Sequence, residues 1–205
     1  VARTTTAERG REVRRRLLAS ACELIAERGW TAVSTRMLAE RAGVAPGLVH
    51  YHFASVHALL SEAAVGAMRD HLSRMPESLD GADDARQVLD GLLAELEETT
   101  GLDPESLLFI EAYLAATRDD ALRREISAVV AEFRTRLEEL LLRHGVAAPE
   151  RTAAVLTAAV DGVLLHRALT PGLSGAALAP VLGRLLAPAP GGGTDDDTEG
   201  GGDRR

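Results

Sequence analysis

Residues 34–53 read STRMLAERAGVAPGLVHYHF. Ser34 is suited to cap a helix, because its hydroxyl can accept one of the backbone N–H groups left open at a helix start. Thr35 to Ala42 then follows as a short helix, which Gly43 stops by taking a left-handed conformation without a Cβ penalty. Ala45-Pro46-Gly47 opens a second short helix, with proline near the first turn where its missing N–H costs little. That helix runs to about Tyr51. Two short helices meeting across Gly43-Val44 make the corner of a helix-turn-helix.

The flanking chain extends the helical reading in both directions. Val13, Leu17, Ala21, Leu24 and Ile25 recur at three- and four-residue spacing, marking the apolar face of a first helix that ends near Gly29. Ser55 caps a fourth helix to about Arg74, broken at Met75-Pro76. Further helices are expected over Asp83 to Thr99, Asp103-Pro104 to Thr117, Asp119 to His144 and Pro149 to Leu169. A last one lies between Ser174 and Ala187, with Pro180 either kinking it or marking its start. Strict apolar/polar alternation is absent, so no sheet is expected. The fold class is all-α, about nine helices, with a small three-helix N-terminal domain and a larger C-terminal helical domain.

Composition sets the limits on function. Hydrophobic residues make up 46% of 205, enough to build a core. A single cysteine, Cys22, excludes an internal disulfide framework and a multi-cysteine zinc site, and fits a reducing compartment. Cys22 borders the apolar face of the first helix and reads as a buried thiol. The polar, arginine-rich start is not a secretory signal and no apolar run is long enough for a membrane span, so a cytoplasmic protein is expected. The net charge of −8 is unevenly divided. Residues 1–60 hold nine Arg against five Asp/Glu, and residues 61–205 fourteen Arg against twenty-six. A basic front on an acidic body is expected where one end meets a polyanion and the rest avoids it. There is no Ser/His/Asp order, HExxH, Walker loop or paired-carboxylate helix motif, so no enzyme is expected. His50 and His52, two apart on a helix, point to different sides, and no metal or other cofactor is expected.

Residues 11–60 resemble the DNA-binding region of TetR-family transcriptional regulators. The likeness rests on Ala26-Glu27-Arg28-Gly29-Trp30, Ser34-Thr35-Arg36, Leu38-Ala39, Ala42-Gly43-Val44, Gly47 and His50-Tyr51-His52-Phe53, followed by Ser55 and Leu59-Leu60. The resemblance implies a flexible arm over 1–10, a helix-turn-helix DNA-binding domain over 11–54 and a ligand-binding and dimerisation domain over 55–187. Residues 188–205 read as a disordered acidic tail. Candidate DNA contacts are Ser34, Thr35, Arg36, Ala45, Pro46, Gly47, Leu48, His50 and Tyr51. Ser34 and Arg36 suit phosphate, the small and apolar residues permit close approach, and His50 and Tyr51 are the polar reach of the second short helix. Phe53 reads as core. Relatives often place Lys where this chain has Val56 and Tyr where it has His50. Arg3, Arg9, Arg11 and Arg14 to Arg16 could restore that charge from the arm, or form a solvated face.

By the same resemblance the larger domain should hold a small-molecule cavity and a dimer interface. Candidate cavity residues are Met68, His71, Leu72, Leu92, Phe109, Tyr113, Phe133 and Leu156, with Glu111 and His166 as further polar determinants. Candidate dimer residues are Val155, Ala159, Gly162, Val163, His166, Val181 and Leu185, on two final helices rich in small and aliphatic residues. The expected function is a homodimeric repressor that binds double-stranded DNA at a palindromic operator and is released by a small-molecule effector, with no membrane partner. The alternative is a DNA-binding regulator without a small ligand, constitutive or controlled by a protein partner.

Overall fold

A computed structural model describes residues 5–74, 79–170 and 172–188. Among them run nine α-helices: α1 Thr6–Arg28, α2 Thr35–Ala42, α3 Gly47–His52, α4 Val56–Arg74, α5 Ala85–Glu97, α6 Pro104–Ala116, α7 Asp120–Arg143, α8 Pro149–Arg167 and α9 Gly175–Leu182. Single 3-10 turns cover Trp30–Ala32 and Gly183–Leu186. No strand occurs among the described residues, only an isolated bridge between Val146 and Pro188.

Local chemistry accounts for most helix ends. Ser34, Asp84, Asp103, Asp119 and Ser174 each accept a backbone N–H from the first turn that follows. Gly43 ends α2 at φ +64°, the left-handed conformation that a glycine takes at little cost. The first helix begins earlier than expected. Thr5 and Glu8 form a capping box, Thr5 N–H donating to Glu8 Oε2 at 2.6 Å and Glu8 N–H to Thr5 Oγ1 at 3.2 Å. Residues 6–10 are therefore helix and not arm; residues 1–4 lie outside the described residues. Pro180 neither starts nor stops α9. The helix begins under the Ser174 cap, passes through Pro180 and gives way to a 3-10 turn at Gly183. Of the expected tail, Pro188 is held by the Val146 bridge, and residues 189–205 lie outside the described residues, as does the break at Met75-Pro76.

The helices enclose two cores. The first joins α1, α2, α3 and α4 to α6 and the start of α7, through residues such as Leu17, Val49, Leu59, Met68, Phe109 and Ile126. The second joins α5, the later part of α7, α8 and α9, through Leu89, Leu92, Leu137, Leu141 and Leu156. Leu72 packs against both. The first core thus runs across position 54 without interruption, because α1 packs on α6 as well as on α2 and α4. The N-terminal head and the body share apolar contacts and are not separated by a linker. Each buried leucine in such a core is worth about 2–5 kcal/mol against alanine.

Candidate functional site

The helix-turn-helix corner is anchored by what it buries. Val49 on α3 and Phe53 just after it turn inward, Phe53 at 6% exposure. The Arg14 guanidinium lies over the Phe53 ring at 4.9 Å, which fixes α3 against α1. With that face buried, the opposite one is presented outward. Arg36, Ala45, Pro46, Gly47, His50 and Tyr51 are all exposed, Tyr51 at 80%. Thr35 and Leu48 are half-buried at the edge of this surface. Ser34 is exposed, with its hydroxyl accepting the Met37 N–H at 3.4 Å. A Cβ added at Gly47 would meet nothing within 4 Å, so the start of α3 is a small, open platform.

The charge of the head is narrower than a count of arginines suggests. Arg14 pairs with Glu62, Arg15 with Glu12, and Arg41 with both Glu23 and Glu27. Arg14 and Arg15 lie within α1 and have partners of their own, so they do not reach out from a free arm to replace the cation missing at Val56. Arg9, Arg11 and Arg36 form no ion pair among the described residues. Arg3 lies outside the described residues.

Behind the head lies a joint. The Glu111 carboxylate of α6 accepts the Trp30 N–H, and His57 of α4 pairs with Asp119, the cap of α7. The His57 ring also meets Trp30 edge-on at 6.1 Å. The N–H groups of Leu122 and Ala121 and the His57 ring hold the Asp119 carboxyl below its usual range. Glu111, read as a polar determinant of the cavity, serves this joint.

A cavity of about 100 Å³ opens between α4, α5, α6, α7 and α8. Of the cavity candidates, Met68, His71, Leu72, Phe109, Tyr113 and Phe133 line it. Leu92 and Leu156 do not: both are turned into the second core, where α5, α7 and α8 meet. His166 is exposed and does not line the cavity either. Sequence reasoning missed the polar lining, which includes Glu95, Thr99, Glu105, Ser106, Thr157 and Asp161. A signal was present for Asp161, the only Asp, Glu or Arg between Arg151 and Arg167. Burial raises the Asp161 carboxyl above its ordinary range, while the Tyr113 phenol facing it pulls the other way. The Tyr113 phenol is itself pushed up by burial and by the Asp161 charge.

Among the dimer candidates, Val155, Ala159, Gly162 and His166 share one stripe of α8, spaced by three or four residues. Val155 is 49% exposed, and a Cβ at Gly162 would meet nothing within 4 Å. Val181 and Leu185 are exposed, as are Leu165 and Leu169, which sequence reasoning passed over. Val163 breaks the pattern: at 7% exposure it belongs to the second core. Among the described residues no helix is long and apolar enough to cross a membrane.

Comparison with known proteins agrees with this architecture. Residues 17–63 match the family described as bacterial regulatory proteins, tetR family, and residues 83–188 the tetracyclin repressor-like C-terminal domain. An HTH-type transcriptional regulator of Mycobacterium tuberculosis is 24% identical over 82% of this chain and 88% of its own. Among solved structures, a transcriptional regulator of Streptomyces coelicolor A3(2) is 30% identical, covering 86% of this chain and 99% of that one at a TM-score of 0.71. The multidrug binding protein EbrR, solved in complex with imidazole, is also 30% identical, covering 86% and 96% at a TM-score of 0.64. With both of its halves matched and its helical order shared with these regulators, the chain belongs to the TetR family of transcriptional regulators.

Proposed function

We propose that the protein is a homodimeric repressor that reads a palindromic operator and leaves it when a small molecule fills the cavity. The observation that carries this reading is the sharing of α4 and α6 between the cavity and the core of the head. Phe109 and Tyr113 line the cavity, while Glu111 between them holds the turn at Trp30. A ligand that fits only one tilt of these helices shifts the population of head orientations by its differential affinity for the two states. Arg36, His50 and Tyr51 supply hydrogen-bonding reach, and Ala45 to Leu48 lets α3 sit close in the major groove. One α3 reads few bases, so two heads spaced by about 34–36 Å are needed for a specific site. The exposed stripe of α8, with Val181 and Leu185, is the surface that joins the copies. EbrR binds drugs on the same fold, which supports a small-molecule effector.

The test is a footprint on the intergenic DNA upstream of the gene. Protection of a palindrome, and its loss with a small molecule, is the expected result. Induction that survives unchanged in both Tyr113→Ala and Phe133→Ala overturns the assignment of the cavity.

A further inference from the structure

The lining of the cavity has a definite charge. It includes the carboxyl groups of Glu95, Glu105 and Asp161, one imidazole, His71, and no arginine among the described residues; the chain has no lysine at all. These carboxylates are not equivalent. Glu105 is met by Arg74 at 3.2 Å and by His71 Nδ1 at 3.3 Å, so its charge is already answered. Asp161 instead lines the cavity together with the neutral phenol of Tyr113 and forms no ion pair among the described residues. Glu95 forms no ion pair among the described residues. Three benzene-type rings complete the walls, on Phe109, Tyr113 and Phe133, with His71 edge-on to Phe109 at 5.4 Å. A carboxylate beside aromatic faces in a mostly apolar cavity attracts a cation through charge and ring quadrupole together, and repels an anion.

Tyr113, Val130 and Asp161 also line a second, more open groove of about 340 Å³ between α6, α7 and α8, whose lining holds Arg123, paired with Asp120 at 2.8 Å, and Arg134. Asp161 thus stands where the inner cavity and the groove adjoin, together with Tyr113 and Val130.

We propose that the cavity takes a small organic monocation, an ammonium or amidinium with an apolar body, seating its charge on Asp161 and its body among the rings of Phe109, Tyr113 and Phe133. This rests on the effector reading above and narrows it to one chemical class. An anion would meet Asp161 and Glu95 with like charge, and a neutral compound of the same shape would gain nothing from either.

The test uses three probes on the full-length protein by calorimetric titration: benzyltrimethylammonium, its uncharged carbon isostere neopentylbenzene, and the anion 3-phenylpropionate. Benzyltrimethylammonium should bind at least about 10-fold more tightly than the isostere, a preference of about 1.4 kcal/mol. Asp161→Asn should remove that preference while leaving isostere binding within about 2-fold, which also shows the cavity to be intact. Glu95→Gln should reduce the preference without abolishing it, and serves if the Asp161 variant does not fold. Equal or tighter binding of the isostere or the anion, no binding of the cation, or an unchanged preference in both variants overturns the proposal. Release of the upstream DNA is followed with the same probes. Tight cation binding that leaves the DNA bound supports the site and refutes the effector reading; release by the isostere or anion alone does the reverse.

Discussion

Glu111 on α6 accepts the backbone N–H of Trp30 at 2.7 Å, tying the body to the turn that follows the first helix. Gly29, immediately before, has φ +81°, and a Cβ there would lie 3.4 Å from Glu111 Oε2. The joint therefore needs both an acceptor on α6 and a residue without a side chain at 29. Glu111→Ala leaves a partly buried N–H unmet and should cost about 1–3 kcal/mol of stability. Gly29→Ala should cost about 1 kcal/mol or more through its backbone conformation. Urea unfolding measures both, and Glu111→Gln, which keeps an acceptor oxygen, should recover part of the loss.

Tyr51 and Phe53 lie two residues apart and should behave in opposite ways. Tyr51→Ala removes an exposed ring and should change stability by no more than about 0.5 kcal/mol. It should weaken DNA binding by about 5- to 30-fold, the equivalent of 1–2 kcal/mol. Phe53→Ala empties the core beneath Arg14 and should cost about 3–5 kcal/mol. Arg36→Ala, if it removes a phosphate contact, should also lower the salt slope of binding by about 1. Thermal unfolding and filter binding over a salt series separate these outcomes.

Val155 and Val163 divide α8 into an outer and an inner face. Val155→Glu should leave the protomer folded and shift it from dimer to monomer in sedimentation, with loss of operator binding. Val163→Glu places a charge in the second core and should unfold the protein, a loss of several kcal/mol. If Val155→Glu remains dimeric, the α8 stripe is not the interface.

Cys22 tests the packing of α1 on α4. Its Sγ donates to the Ala63 carbonyl at 3.6 Å, and burial pushes the thiol up to about 11. At pH 8 the native protein should react with iodoacetamide on the order of 100-fold more slowly than the unfolded chain, whose thiol titrates near 8.5. The difference should shrink as the pH rises toward 11, because the thiolate fraction of the buried group then catches up. Equal native and unfolded rates at pH 8 would show that α1 and α4 do not close over it.

The head was legible from its residues because its signals are local. Ser34 accepts an N–H three residues away, Gly43 needs only its own backbone freedom, and Pro46 acts within one turn. The same holds for the aspartate and serine caps of α5, α6, α7 and α9, so the order of helices could be read before any contact was known. The capping box at Thr5 and Glu8 is equally local. The family resemblance, with the arginines around the box, points instead to a free arm there.

What the residues could not decide alone is which way each apolar side chain turns. Helix α8 is apolar on nearly every face, so spacing does not distinguish Val155 from Val163. Only the packing of α5 and α7 against it makes one surface and the other core. The same packing turns Leu92 and Leu156 away from the cavity and brings Asp161 to Tyr113 across 48 residues of chain. Cavities and interfaces are made where separate helices meet, and their membership is set by distances between elements that no single helix encodes.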